Sequence, residues 1–505
     1  MNLTRFFKRK KTYKTIKNSG LDSSQKISTS IQENVSYIKD IINHSDDLKQ
    51  KELKNKMVLL YFFTLADQEK VTKKIIYPLS KTEDILTRIQ SNGDPAEDLH
   101  LAIQALLKGY AVILIEGQRK CYLFHVVKTF NRSIDEPDNE KVVRGSHDGF
   151  VEDLFVNVNL IRKRIETIDL TVRFIRVGKR TNTNVGIVYM TSLADPKVVQ
   201  KVEERIKSID SDNVFSPGYM EEFIEDTPSS PFPQMLATER PDRVIANLLE
   251  GRVAVIVEGS PTTLILPITF FAFYQTPDDY NGRWLAGSYL RLIRLMSFVI
   301  AIALPGFYIG VIGFHFEVIP DDLVLPIKAS IVDIAFPPIV EALAMVITIE
   351  LIREAGIRLP SPVGQTIGIV GGLIIGDAVV RAGLISNVMI VIIAVTAIAS
   401  FVVPSNEMST TVRILTYPIL ISASLFGFIG IVFTLMIILI HLCKLESFGS
   451  PYFAPLAPLR WKEIKDAMIR VPVWKMNERP SDTQVEEIQR QGKTRGWKKD
   501  GKNRR

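Results

Sequence analysis

The sequence predicts a cytoplasmic α/β region of two related subdomains followed by an α-helical polytopic membrane domain. Three observations predict this fold class. Uncharged runs occur at 295–314, 383–403 and 414–443, and about twenty apolar residues are the length that crosses a bilayer core as a helix. The sequence before these runs is charged and mixed in composition, which is typical of a soluble region. Within that region, one helix–strand–turn–strand pattern occurs twice, at 106–117 and at 248–259.

Both ends of the 505-residue chain are basic, and its net charge is +7. Residues 1–50 are predicted to form a basic flexible arm and residues 446–505 a cytoplasmic basic tail. Beside a membrane domain, basic tails favour contact with anionic lipid headgroups. A tail that is merely solvated and disordered is the alternative. No nucleic-acid partner is predicted, and no apolar stretch follows the basic N-terminus as a cleavable signal peptide would require.

The repeated pattern defines the expected subdomains. Residues 51–140 are assigned to the first and 141–285 to the second, in which 227–234 (TPSSPFPQ) is read as a linker. LLKG and AVILIEG in the first copy match LLEG and VAVIVEG in the second without a gap. Each copy predicts a helix that ends at a glycine, a strand, and a reversal at Glu-Gly. Chance similarity between two such units is the alternative.

The soluble region carries no motif for catalysis. There is no Walker loop, no G-x-G-x-x-G after a strand, no H-E-x-x-H and no G-x-S-x-G. The two cysteines, Cys121 and Cys443, do not have the spacing of a metal site. No catalytic, cofactor-binding or metal-ligating residue is therefore predicted, and the protein is not expected to be an enzyme.

The membrane domain is assigned to residues 286–445. It is predicted to cross the bilayer four times, at about 293–314, 334–352, 384–403 and 414–443. Basic residues precede the first crossing and follow the last, so the positive-inside rule places both termini in the cytoplasm. An even number of crossings agrees with that placement.

A glycine-striped helix is predicted between the second and third crossings, at 363–381, either crossing the membrane or re-entrant. Its glycines recur every four residues, at Gly364, Gly368, Gly372 and Gly376. On a helix they form one smooth stripe that lets another backbone approach closely. The stripe therefore predicts helix packing, within or between subunits. Asp377 and Arg381 are one turn apart on the same helix and could pair inside the membrane.

The second crossing carries the candidate pore residues. Glu341, Met345 and Thr348 share one helix face at i, i+4 and i+7. A carboxylate, a thioether and a hydroxyl in one stripe suit a cation-conducting pore. The alternative is a buried glutamate paired inside a helix bundle.

The chain resembles the A subunit of GerA-type spore germinant receptors. The stretches that carry the resemblance lie between about residues 50 and 475 and follow the family's order. They are EPDNEKVVRGSHDGFVEDLFVNVNLIRKRI, FPQMLATERPDRVIANLLEGRVAVIVEGSP, TPDDYNGRWLAGSYLRLIRLMSF, REAGIRLPSPVGQTIGIVGGLIIGDAVVRAGLISNVMIVIIAVTAIASF and ESFGSPYFAPLAP. The family often has glutamine and glutamate where this chain has Asp377 and Arg381.

The resemblance implies a multi-pass protein in the inner membrane of a bacterial spore. It implies two partners, a permease-like B subunit that binds the nutrient and a lipoprotein C subunit. It also implies a homo-oligomeric ring of A subunits that conducts monovalent cations when nutrient binds. A secondary transporter and a non-conducting signalling scaffold are the alternative functions; no inverted membrane repeat of the transporter type is found in the sequence.

Overall fold

The computed structural model describes residues 25–81, 85–129, 136–137, 140–332, 334–359, 363, 372, 375–483, 485, 487–492 and 494–495. The chain forms two compact units: unit 1 comprises residues 1–133 with 158–173, and unit 2 comprises 134–157 with 174–505. These bounds differ from the predicted division at 140, because residues 158–173 belong with the first unit.

The helices and strands of the described residues are numbered in chain order. The α-helices are α1 (Ile31–Ile41), α2 (Gln68–Val71), α3 (Tyr77–Lys81), α4 (Ile85–Asn92), α5 (Leu99–Leu107), α6 (Leu154–Arg164), α7 (Pro196–Lys207), α8 (Pro217–Ile224), α9 (Pro241–Leu248), α10 (Pro277–Asn281), α11 (Trp284–Phe314), α12 (Asp321–Val332), α13 (Pro338–Arg358), α14 (Asn387–Phe401), α15 (Asn406–Lys444) and α16 (Ile464–Ala467). The strands are β1 (Leu48–Leu53), β2 (Met57–Phe62), β3 (Asp94–Ala96), β4 (Ala111–Ile115), β5 (Cys121–Phe124), β6 (Leu170–Val177), β7 (Thr183–Met190), β8 (Leu236–Thr238), β9 (Val253–Val257), β10 (Thr263–Leu266), β11 (Glu446–Ser447) and β12 (Ser450–Pro451).

Unit 1 is built on a five-stranded sheet with the order β1-β2-β4-β5-β3. Strand β2 reads MVLLYF and is buried throughout. Because successive side chains of a strand point to opposite faces, Val58 and Leu60 join a core with α1 and α5. Met57 and Leu59 join the core on the other face, with Val71 and neighbouring helical residues. The sheet is therefore covered on both faces, which explains why its central strands carry almost no polar residues.

Helix α1 lies inside the predicted flexible arm, so that prediction is wrong for residues 31–50. The Ser30 side chain caps the helix by accepting a hydrogen bond from the Glu33 N–H. Ile31, Val35 and Ile38 recur on one face and are buried in the core of unit 1. Because residues 1–50 are highly charged, the sequence analysis did not recognise the amphipathic pattern of this short helix. Residues 1–24 lie outside the described residues.

Unit 2 contains most of a second five-stranded sheet, with the order β6-β7-β9-β10-β8; the first four residues of β6 are counted with unit 1. The order is the same as in the first sheet, with every strand number increased by five. Gly109 and Gly251 follow equivalent helices with φ of +82° and +88°, and Gly117 and Gly259 reverse equivalent hairpins with φ of +80° and +89°. These left-handed values favour glycine at both positions. The two matched segments thus occupy the same place in two α/β sheets.

Within unit 2, α11 and the first part of α15 pack closely and run in the same direction. A Cβ added to Gly306 would lie 2.8 Å from Ile419, and one added to Gly310 would lie 3.1 Å from Phe428. Further towards the start of both helices, the Thr416 hydroxyl donates to the Ala301 carbonyl at 3.2 Å. Small residues on α11 allow this approach of the two backbones.

Helix α15 is a hairpin. Gly427 has the non-helical angles φ 59° and ψ −138°, and the Thr434 hydroxyl donates to the Ser422 hydroxyl at 2.8 Å. In a straight helix those two residues would be separated by about 18 Å. The arms, residues 406–426 and 428–444, therefore lie side by side, and we call them the helical hairpin.

Within the part of the chain that the structure describes, two helices, α11 and α15, are long and apolar enough to cross a membrane, and α14 is a shorter apolar helix. The sequence analysis placed one crossing at 414–443. The structure begins this helix at Asn406 and divides it at Gly427, so the single rod expected there is replaced by two arms. The number of crossings stays a prediction.

Helices α13 and α14 run in parallel. The Ser386 N–H at the start of α14 donates to Glu341 near the start of α13 at 2.8 Å. Near the other end, Arg353 donates to the Ser400 hydroxyl at 2.9 Å. Consecutive crossings joined by a short loop would be antiparallel. Most of the glycine-striped segment predicted between these helices, 363–381, lies outside the described residues.

Candidate functional site: the junction of the second sheet with the apolar helices

A buried carboxylate marks the base of α11. Asp279 closes a capping box with Thr276 at the start of α10 and is fully buried. Arg291 and Arg294 are three residues apart on α11 and therefore share a face. Arg294 donates to both carboxylate oxygens of Asp279, at 2.8 and 2.9 Å, and Arg291 lies 3.3 Å from one of them. Two guanidinium groups thus hold one carboxylate at the point where α10 meets the first long apolar helix.

The C-terminal segment joins the same network. Arg291 donates to the backbone and side-chain oxygens of Asp466, and the Tyr280 hydroxyl donates to that carboxylate at 3.0 Å. Arg470 donates to the carbonyls of Tyr280 and Gly282, both at 3.1 Å. The guanidinium carbons of Arg291 and Arg470 lie 5.5 and 5.4 Å from the Tyr280 ring centroid, within the range of a cation–π contact. Three separate parts of unit 2 therefore meet here.

This network forms the junction, which consists of Asp279, Tyr280, Arg291, Arg294, Asp466 and Arg470. Its centre is shielded from solvent, since Asp279 and Arg291 are both fully buried. A buried ion pair is costly to break, because the partner left behind is an uncompensated buried charge. The predicted basic tail is thus partly a folded segment whose Arg470 and Asp466 help to hold α11.

A second attachment involves the segment that the sequence analysis read as a linker, residues 227–234. The Thr411 hydroxyl, at the start of the helical hairpin, donates to the Pro231 carbonyl. His441, at its other end, makes a 2.8 Å hydrogen bond with the Ser230 hydroxyl and stacks on Phe232 with ring centroids 5.9 Å apart. Phe232 is 2% exposed. The segment is therefore a packed contact that touches both ends of the hairpin.

Three carboxyl groups gather beside this attachment. Burial raises the pKa of Glu221 to about 9, with the neighbouring carboxylates of Glu407 and Glu225 adding to the effect. Burial also raises the pKa of Glu407 to about 7; this residue precedes the apolar run that begins at Ile414. Among the described residues, Glu221 Oε1 and Glu407 Oε2 have no hydrogen-bond partner. The cluster is therefore most stable when it holds protons.

The structure places two of the three predicted pore residues inside the chain. Glu341 is 2% exposed and Met345 is 4% exposed, and the Glu341 carboxylate accepts the hydrogen bond from the Ser386 N–H. Thr348 donates to the Ala344 carbonyl at 2.7 Å and is itself half-buried. Glu341 thus binds the N-terminus of α14, where a negative charge is favoured. This geometry is the one expected if Glu341 is a buried glutamate paired inside a helix bundle, the alternative to a pore residue.

An ion pair that the sequence analysis missed lies further along α13. Arg413 of the hairpin donates to the Glu350 carboxylate, and Arg353 lies 3.7 Å from it. The Arg353 guanidinium also lies 4.0 Å from the Phe401 ring centroid. Arg413 stands directly before an uncharged run, a position that could have identified it as a partner for the carboxylate on a neighbouring helix.

The predicted helix-packing glycines can be placed only in part. Gly364, Gly368 and the side chain of Asp377 lie outside the described residues, so the pairing of Asp377 with Arg381 stays a prediction. A Cβ added to Gly372 or Gly376 would meet no described atom within 4 Å. The packing role of the glycine stripe therefore stays a prediction.

Comparison with known proteins gives consistent matches. The profile of the family described as "Bacillus/Clostridium GerA spore germination protein" matches residues 36–482. Spore germination protein B1 of Bacillus subtilis (strain 168) is 37% identical over 481 residues, 92% of this chain and 99% of that protein. The uncharacterized membrane protein YfkQ of the same strain is 43% identical over 376 residues, 74% of this chain and 73% of that one. The crystal structure of the N-terminal domain of the A subunit of the Bacillus megaterium spore germinant receptor GerK3 is 26% identical, covers 49% of this chain and 98% of that chain, and has a TM-score of 0.38.

Proposed function

The chain belongs to the GerA family of spore germination proteins, and from this membership we propose that it is the A subunit of a nutrient-responsive germinant receptor in the inner membrane of a spore. The observation that carries the proposal is the extent of the family match, residues 36–482. That range includes both α/β sheets, all of the apolar helices and most of the folded C-terminal segment. Its partners in the receptor are then a B subunit and a C subunit.

We further propose a multi-pass arrangement in which both termini face the cytoplasm. The junction lies at the start of α11. The contacts of Thr411 and His441 with the segment 227–234 support placing both ends of the helical hairpin at the same end of the apolar helices as the junction. Arg291, Arg294 and the C-terminal Lys444 agree with the positive-inside rule. The arms of the hairpin would then enter and leave the bilayer from the cytoplasmic face.

The finer proposal is that A subunits form a ring that opens a path for monovalent cations. Thr348 is half-buried in the single chain, so its hydroxyl is available to a central path between copies. Met345 and Glu341 are more enclosed, and a pore role for them requires that α13 turn or shift when the receptor opens. The junction supplies a physical link by which a movement of the α/β region reaches α11.

Reconstitution separates this proposal from its alternatives. The chain is co-expressed with the B and C subunits, purified as a complex and placed in liposomes loaded with a potassium indicator. A conducting receptor gives nutrient-dependent flux and several A subunits per complex. A signalling scaffold assembles without flux, and a secondary transporter gives flux that depends on a co-substrate gradient. Failure of the chain to co-purify with the B and C subunits would contradict the assignment as an A subunit.

A further inference from the structure

The first three turns of α11, residues 284–294, expose an apolar face before the uncharged run begins. Leu285, Tyr289 and Leu292 follow one another at i, i+4 and i+7, so they share one side of the helix. Leu285 is 64% exposed and Tyr289 is 65% exposed. Large apolar side chains exposed next to one another mark a surface that contacts another molecule or a membrane.

The same face continues into the uncharged run, 295–314. Met296 and Val299 are the next residues on this side of the helix, and they are 63% and 55% exposed. The sequence has no aspartate or glutamate between Asp279 and Glu317, so no acidic charge interrupts the face. On its exposed side, α11 therefore shows no change in character where the uncharged run begins.

The two charges that precede the uncharged run point away from this face. Arg291 is fully buried, and the side chain of Arg294 is 12% exposed. Both arginines pair with the buried carboxylate of Asp279, and Arg291 also pairs with Asp466. Ionisable groups at membrane depth are tolerated when they face the protein interior and are paired. The two arginines therefore do not fix the depth at which α11 meets the bilayer.

The length of α11 fits the whole thickness of a bilayer. Its 31 residues span about 46 Å at about 1.5 Å per residue. A bilayer is about 30 Å thick in its hydrocarbon core and about 40–45 Å thick with both headgroup regions. A helix of this length crosses the core and both headgroup regions, which places Trp284 and Tyr289 among the cytoplasmic headgroups. Trp and Tyr are enriched at that depth because their rings are amphipathic.

The residue types on this face favour lipid over a second copy of the chain. Helices that pack closely in membranes use small residues, which let the two backbones approach. The small residues of α11 serve contacts within the chain. A Cβ added to Gly287 would lie 2.6 Å from the Asp279 carbonyl oxygen, and one added to Gly306 would lie 2.8 Å from Ile419. The exposed face carries large side chains instead, which keep another helix backbone at a distance.

We propose that lipids of the cytoplasmic leaflet cover the exposed face of the first three turns of α11, as far as Leu285. This inference rests on the proposed membrane arrangement and moves the cytoplasmic boundary of α11 about three turns beyond the uncharged run. The junction then lies at the level of the lipid headgroups. Asp279 and Arg291 are on the side of α11 that is turned away from lipid, and Trp284 and Tyr289 anchor the helix among the headgroups.

Spin labels on the full chain in liposomes test the proposal. The two native cysteines are first replaced, and Leu285→Cys, Tyr289→Cys and Leu292→Cys are then labelled one at a time. Collisions of each label with oxygen, which concentrates in lipid, are compared with collisions with a water-soluble nickel chelate. A label in lipid meets mainly oxygen, a label in water meets mainly nickel, and a label inside a protein contact meets little of either. We expect the lipid pattern at all three positions, with the oxygen-to-nickel ratio rising from Leu285 to Leu292.

Two reference positions make the outcome decisive. Met296→Cys lies on the same face inside the uncharged run, and Leu101→Cys replaces a leucine of α5 that is 51% exposed in unit 1. The oxygen-to-nickel ratio at Leu285 should be several-fold above that at Leu101. A water pattern at Leu285 or Tyr289, with the lipid pattern at Met296, overturns the inference and leaves the membrane arrangement intact.

Two other results would also overturn the inference. Few collisions with either reagent at Leu285 and Tyr289 would mean that a protein surface, such as a second copy of the chain, covers this face. A water pattern at Met296 would mean that α11 does not cross the bilayer, so the proposed membrane arrangement would fail together with the inference.

Discussion

Replacing Glu221 by glutamine should stabilise the protein at neutral and alkaline pH. The folded state holds the pKa of this carboxyl at about 9, against an ordinary value of 4.5. Between these two values the folded state binds a proton that the unfolded state has released, so stability falls as pH rises through the window. Each pH unit above the ordinary pKa removes about 1.36 kcal/mol of stability, which makes the cost about 3 kcal/mol at pH 7. Glutamine carries no such proton and has nearly the same shape as the neutral acid.

The measurement is the unfolding temperature of the full chain in detergent, from pH 5 to pH 9. At pH 5 the wild type and Glu221→Gln should unfold at nearly the same temperature, because Glu221 is protonated in the folded state. At pH 8 the variant should unfold several degrees higher, and its pH dependence should be flatter. Glu222→Gln is the matched control, since this neighbouring glutamate is exposed. A Glu221→Gln variant with the same pH slope as the wild type would refute the reasoning.

Three further predictions concern the helical region. Asp279→Asn leaves Arg291 and Arg294 without their buried carboxylate and should cost about 3–5 kcal/mol, measured as loss of folded protein after purification. Asp278→Asn should cost far less, because this half-buried side chain accepts backbone N–H bonds from Val143 and Arg144 that an amide oxygen can keep. Glu341→Gln weakens the contact with the Ser386 N–H and should lower the yield of assembled complex with cation selectivity unchanged; normal yield with lower conductance would instead place Glu341 in the pore. Because α13 and α14 run in parallel, cysteines at Arg358 and Asn387 should be labelled from opposite sides of the membrane, and labelling from one side would contradict the topology.

The repeat could be predicted from the sequence because its signal is local. A helix that ends at glycine, an apolar strand and a Glu-Gly reversal occupy consecutive residues, and each element imposes its own residue types. The structure gives both copies the same strand order. The apolar helices could be predicted for the same reason, since length and composition define them.

Other features depend on contacts between distant residues and could not be predicted. Arg162 belongs to a basic run that reads as a surface patch, yet it is 2% exposed and pairs with the buried Asp47. The cluster of Glu221 with Glu407 joins a helix of the α/β region to the helical hairpin. The turn at Gly427 could have been predicted. The run from Ile414 to Cys443 is longer than the about twenty residues that a single crossing requires, which indicates more than one helical segment.

The attachment of both ends of the helical hairpin to one short segment means that a movement of that segment displaces the far end of the hairpin more than its base. The Ser230 hydroxyl and the Pro231 carbonyl are hydrogen-bonded to the two arms at their bases, and Thr434 and Ser422 join the arms to each other, so a movement of this segment acts on both arms. Each arm of the hairpin rises about 1.5 Å per residue, and the longer one reaches roughly 31 Å. A tilt of about 10° at the base would displace the tip by about 5 Å, as simple lever geometry on that length requires. The tip carries Phe428, stacked on Phe307 of α11, so a small rotation at the base of the hairpin would produce a larger displacement where its tip meets α11.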